Sequence, residues 1–89
     1  PVQFETVKNY PNPFNPNTVI NYSMSHIGSV KVHVYDVIGR KVATLFEGIR
    51  TPGSYEVAWN AEGMASGVYF CRVEFFGNKT ISHKMNLVK

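Results

Sequence analysis

A chain of 89 residues encloses one modest core, which is short for an enzyme that must also bury a catalytic cleft. With 44% hydrophobic and 13% aromatic residues it has enough apolar surface to offset the chain entropy lost on folding, which excludes disorder. Nine Lys and Arg against six Asp and Glu give a net charge of +3, scattered among acids rather than gathered into the basic stripe that phosphate neutralisation requires, so nucleic acid is excluded as a partner.

In chain order, "VQFETVK" (Val2 to Lys8) reads as a first strand. "NYPNPFNPNT" (Asn9 to Thr18) follows as a leader with three prolines and four asparagines in ten residues. Proline fixes its own φ and pushes the residue before it toward extended backbone, so the leader is predicted to be stiff and extended. It should cross between sheets with Phe14 anchored in the core and Asn side chains bonding backbone, and hold the domain at a fixed angle to whatever precedes it.

The next segments alternate with period two, the signature of half-buried strands. Ile20, Tyr22 and Met24 share one face of "VINYSM", and Val30, Val32 and Val34 share one face of "SVKVHVYD". In "DVIGRKVATLF" Asp36 and Gly39 bracket a tight reversal, because Asp bonds the backbone two residues on and Gly accepts positive φ. "RTPGSYEVAWN" places Pro52 and Gly53 as turn residues before a strand whose Tyr55, Val57 and Trp59 face the core. Gly67 opens "GVYFCRVEFF", in which Tyr69, Cys71, Val73 and Phe75 form the more apolar face. Gly77 and Asn78 signal the last hairpin, and Ile81, His83, Met85 and Leu87 line one side of the closing strand. About seven short strands with regular turn signals predict an all-β, immunoglobulin-like antiparallel sandwich filling residues 1–89 as one domain.

The chemistry-bearing residues are sparse. Cys71 is a lone cysteine in an apolar run, a small buried hydrophobe rather than a nucleophile beside His26, His33 or His83. Neither the acids nor the histidines have metal-ligand spacing, and no phosphate loop is present, so no enzyme, cofactor or metal is expected. No segment approaches the roughly 18 apolar residues of a membrane helix, and the N-terminus lacks the basic head and apolar run of a signal peptide. An export signal therefore lies outside this stretch or is the domain itself. After Glu74 the chain carries Lys79, Lys84 and Lys89 without an acid, as edge strands guarded by lysine do. Unguarded edges admit dimerisation by strand pairing. Tyr10, Phe14, Tyr35 and Phe76 are the aromatics whose faces would suit a sugar ring.

Five stretches stand in a telling order: "YPNPFNPNTVINY", "VYDVIGRKV", "GSYEVAWN", "SGVYFCRVE" and the closing "KMNLVK". Together they resemble the C-terminal sorting domains of the type IX secretion system, over nearly the whole chain from Tyr10 to Lys89. The resemblance implies an address label at the end of a larger N-terminal cargo, exported through the periplasm of a Gram-negative bacterium to its surface or medium. It also implies two partners, the outer-membrane secretion machinery and a sortase-like peptidase that cuts at or before Pro1. The family's leader corresponds to Pro11, Asn12, Pro13 and Phe14, its D-x-x-G turn to Asp36 and Gly39, and its G-x-Y segments to Gly53 with Tyr55 and Gly67 with Tyr69. Its basic terminus corresponds to Lys84 and Lys89, on a last strand that a receptor grips by charge or by strand addition. A chain ending before Lys84 would then be a folded control that is not exported. Similar modules occur in flagellar hook-capping proteins and at the ends of bacterial glycanases, so the alternative is an ancillary Ig-like module for cell attachment, carbohydrate binding or spacing.

Overall fold

The computed structural model describes residues 4–89. Seven strands form two antiparallel sheets: β1 (Thr6–Tyr10), β2 (Asn17–Met24), β3 (Gly28–Asp36), β4 (Lys41–Arg50), β5 (Gly53–Asn60), β6 (Gly67–Phe75) and β7 (Lys79–Leu87). One sheet has the order β1-β2-β5 and the other β4-β3-β6-β7. The predicted all-β sandwich is the observed fold, with no helix among the described residues.

The core is the set of residues that period-two alternation turns inward. Ile20, Tyr22 and Met24 from β2 meet Val30, Val32 and Val34 from β3, Cys71, Val73 and Phe75 from β6, and Met85 and Leu87 from β7, all buried. Each large apolar side chain so enclosed contributes about 1.5–3 kcal/mol. Trp59 joins the same cluster, as predicted. β4 departs from clean alternation: its pairing with β3 slips between Val32 and His33 and again between Val34 and Tyr35, so inward and outward positions change along the strand.

The first strand is shifted from its predicted bounds. It continues to Tyr10, because Lys8, Asn9 and Tyr10 pair with Asn21, Ile20 and Val19, while Val2 and Gln3 lie outside the described residues. At Phe4 and Glu5 the chain is tied to the turns at one pole of the sandwich. The Phe4 carbonyl accepts from the Ser23 hydroxyl at 3.1 Å, and the Glu5 carboxylate accepts from the Ser25 amide at 2.8 Å, from the Ser25 hydroxyl, and from Lys79 Nζ at 2.9 Å. The Ser25 hydroxyl bond, followed by the Lys79 and Ser25 amide bonds, outweighs desolvation and lowers the Glu5 pKa to about 2.

A carboxyl whose folded pKa is depressed adds stability that is complete above its ordinary value of 4.5 and is lost as pH falls through about 2. Urea midpoints of the native domain and of Glu5→Gln, measured from pH 6 down to pH 2, should therefore converge toward the acid end. A constant difference across that range would show that the carboxylate bonds do not form.

The last hairpin reverses one residue earlier than its Gly-Asn signal suggests. Phe76 and Gly77 take positive φ, 59° and 75°, and the Asn78 amide donates to the Phe75 carbonyl at 3.1 Å. Two contacts hold a phenylalanine in that costly conformation: its amide donates to the Ser29 carbonyl at 2.8 Å, and its ring covers Gly28, where a Cβ would stand 2.5 Å from the ring.

Candidate functional site

At the pole opposite Glu5, β1 ends, β2 begins, β3 turns into β4, β5 passes into β6, and β7 finishes. The leader, the Asp36–Arg40 turn, the loop of residues 61–66 and the chain's last residues therefore converge there.

The leader is neither an extended rod nor a spacer, and both expectations are corrected by its contacts. Residues 11–13 and 15–16 are bends, and the peptide bonds before Pro11, Pro13 and Pro16 are cis. β1 lies between the leader and the chain's approach at Glu5, so the leader does not set the angle to a preceding domain. What it does is close the sandwich. Phe14 is only 2% exposed, its ring 5.6 Å from that of Trp59, which stands edge-on to Tyr69 at 5.5 Å. One aromatic row thus joins leader, β5 and β6.

The asparagines do bond backbone, as expected, and the backbone they bond is informative. Asn12 Nδ2 donates to the Lys84 carbonyl at 3.1 Å while Asn12 Oδ1 accepts from the Asn86 amide at 3.0 Å. The Phe14 amide donates to the Asn86 carbonyl and its carbonyl accepts from the Val88 amide, each at 3.0 Å. An amide side chain and one backbone unit thus stand in for a strand along the outer edge of β7, and strand addition at residues 84–88 is closed. Asn9 Nδ2 donates to Thr18 Oγ1 at 3.0 Å and the Thr18 hydroxyl donates to the Pro11 carbonyl at 3.0 Å, fixing the leader's root.

Asp36 and Gly39 make the turn that the sequence indicates. Asp36 Oδ1 accepts from the amides of Ile38 and Arg40 at 3.1 and 2.9 Å, Oδ2 accepts from Arg40 Nε at 2.8 Å, and Gly39 has φ +88°. Desolvation opposes ionisation, but the Arg40 bonds prevail and hold the carboxyl below its usual range. With its oxygens so engaged, Asp36 is a turn builder, and no group of three metal-ligating side chains occurs among the described residues.

The two G-x-Y segments are one device used twice, at opposite poles. Gly53 and Gly67 have φ +147° and +146°, and each following tyrosine donates its hydroxyl to the carbonyl four residues upstream: Tyr55 to Thr51 at 2.7 Å and Tyr69 to Ala65 at 2.6 Å. This is the logic of a tyrosine corner, which pins the chain as it crosses between sheets. Gly67 and Tyr69 lie at the leader pole; Gly53 and Tyr55 do not join them.

Between the Asp36–Lys41 turn and the 63–69 segment lies an open hollow of about 580 Å³, walled by Val42, Met64, Val68 and Tyr69. Val37 and Ile38 stand on its rim 66% and 70% exposed, with Arg40 and Lys41 beside them. The sequence reading passed over this feature, although two aliphatic residues at the tip of a turn, where polar residues belong, are its signal. Lys84 and Lys89 are exposed, but Lys84 projects from the outer face of β7, opposite the buried Met85 and Leu87.

Those two residues count against a further expectation. Because Met85 and Leu87 belong to the core, a chain ending before Lys84 should not stay folded, which makes it no clean test of export.

The model of the secretion system C-terminal sorting domain family matches residues 8–88. The chain belongs to that family. No curated protein matches it. Membership in this type IX secretion family makes the sandwich a sorting domain that acts with the secretion machinery, and the family is one of signals rather than enzymes. The match spans the leader, the Asp36 turn, the Gly67–Tyr69 segment and β7. The cleavage region, placed at or before Pro1, lies outside the described residues.

Cys71 has no exposed surface, and burial pushes its thiol up to about 12, so it is neither a thiolate nor accessible at neutral pH. Native sorting domain should resist iodoacetamide for hours at pH 8 and take up one label once unfolded in urea. Rapid native labelling, read by mass, would show that β6 is not packed as described.

Proposed function

We propose that this sorting domain carries a larger N-terminal cargo from the periplasm through the outer membrane to the cell surface or medium, and that the secretion machinery reads it at the leader pole. One observation supports this reading above the others. The chain approaches the sandwich at Glu5, while the leader, the Asp36 turn, the Gly67–Tyr69 segment and the chain's last residues meet at the other end of a body 37 Å long. A receptor engaging that pole meets no obstruction from the cargo.

The pole offers what a protein receptor needs: exposed aliphatic residues at Val37 and Ile38 over an apolar hollow, with a basic rim at Arg40 and Lys41. Its frame is rigid, because the leader, β5 and β6 are locked through Phe14, Trp59 and Tyr69. A sortase-like peptidase acts at the opposite pole, on chain preceding Glu5, and therefore has access while the receptor is bound. The experiment is a fusion of the domain to the C-terminus of a periplasmically directed fluorescent protein, in a host that has type IX machinery. Fluorescence at the surface or in the medium that vanishes when the machinery is disabled is the expected result; reporter confined to the periplasm in both strains would refute the reading.

A further inference from the structure

The outer face of the four-stranded sheet carries a second site. Inward residues of β3 and β6 are Val30, Val32, Val34, Cys71 and Val73, so Tyr35, Phe70 and Arg72 lie on the opposite face. Register sets Lys41, Tyr35, Phe70 and Lys84 side by side across all four strands, and at about 4.8 Å per strand the row spans roughly 14 Å. Two aromatic rings thus stand between two lysines. In the next row Arg72 pairs with His33 and Ser82, and its guanidinium lies 4.2 Å over the Tyr35 ring. A hollow of about 300 Å³ opens there between Tyr35, Phe70, Arg72, Ser82 and the Asp36 turn.

The charges of this face are unbalanced. Among the described residues the ion pairs are His33 with Glu47, Arg40 with Asp36 and Lys79 with Glu5, so Lys41, Arg72 and Lys84 have no carboxylate partner. Glu47 bonds His33 and lies within the field of Lys41, Asp36 is engaged by its own turn, and Glu74 sits a row further off, in register with Lys31. Arg72 and Lys84, with no acid in their own rows, flank half-buried aromatic surface and suit an anionic ligand with an apolar face.

We infer that this face binds an acidic saccharide, its ring against Phe70 and its carboxylate or phosphate between Arg72 and Lys84. Carbohydrate fits better than peptide because the backbone groups of β3 and β6 are spent in ladders on both sides, which leaves no main-chain partners for an added strand. A pyranose needs none: its C–H face lies on an aromatic ring, and hydroxyls reach Ser82 and the arginine fork. The site adjoins the leader pole at the Asp36 turn and Lys41, but Phe70, Arg72 and Ser82 belong to the sheet face alone, so loss of saccharide binding in Phe70 and Arg72 variants is read apart from loss of export in Val37 and Ile38 variants.

The test is titration of the ¹⁵N-labelled domain with oligogalacturonate, with its fully methyl-esterified neutral form and with poly-glutamate. Saturable amide shifts confined to β3, β6 and β7, with at least tenfold weaker binding for Arg72→Gln, Lys84→Gln and Phe70→Ser and for the neutral ester, are the expected outcome. The spectrum of each variant reports whether it is folded, and the two exposed glutamine substitutions keep the test valid if Phe70→Ser disturbs packing. Equal binding of poly-glutamate would overturn the saccharide assignment in favour of an acidic protein surface. Absence of saturable shifts would overturn the site.

Discussion

Replacing Phe14 by alanine should cost about 3–5 kcal/mol, the range for deleting a buried aromatic side chain. For a domain of this size that is a large share of a total stability of roughly 5–10 kcal/mol. The cost is not confined to one cavity. Phe14 anchors a leader with no regular secondary structure of its own between Pro11 and Pro16, and its backbone makes two of the bonds that cover the outer edge of β7. Without the ring, Trp59 loses its 5.6 Å neighbour and the leader is held mainly by the side chains of Asn9, Asn12 and Thr18. Urea unfolding should show the loss as a lower midpoint, and protease sensitivity should rise between Tyr10 and Asn17. An unfolding free energy within about 0.5 kcal/mol of the native domain's, the range for an exposed side chain, would contradict the anchoring role.

Deleting Lys84 to Lys89 should abolish cooperative folding. The cut removes Met85 and Leu87 from the core, and each such side chain is worth about 2–5 kcal/mol when truncated to alanine. It also strips the ladder from Gly67 to Phe70 of β6 and leaves the leader without its edge. Calorimetry should show no transition for the deleted chain, while Lys84→Ala with Lys89→Ala, both exposed, should melt within a few degrees of the native domain. A folded deletion variant would show that β7 is an accessory strand. Loss of export on deletion therefore reports loss of the fold first, and only the paired lysine substitutions can ask whether those charges are read.

The strand faces were legible because burial on one side of a sheet writes itself into every second residue; the core faces of β2, β3, β6 and β7 could be named from alternation alone. β4 was harder, since two register slips break the period. The leader's prolines and Phe14 pointed to a fixed, anchored element, but its partners are 72 and 74 residues away in the chain, at Lys84 and Asn86, and no local pattern encodes them. The same holds for the candidate site. Its parts were visible as separate motifs, yet only the topology shows that Asp36, Gly67, Phe14 and the chain's last residues share a pole while Gly53 and Tyr55 stand at the other. The hairpin at Phe76 shifted because a tertiary bond to Ser29 and the bare surface of Gly28 override the local preference for Gly-Asn.

The most direct test of recognition at the leader pole compares two surface variants of the exported reporter fusion. Val37→Ser with Ile38→Ser alters the pole away from the cargo; Ile27→Ser with Ile49→Ser removes equally exposed aliphatic residues at the end nearer Glu5. With melting temperatures matched to the native fusion, the first should cut surface and medium fluorescence at least tenfold and the second should leave it unchanged. Normal export of the Val37, Ile38 variant, or equal loss in both, would contradict recognition at this pole.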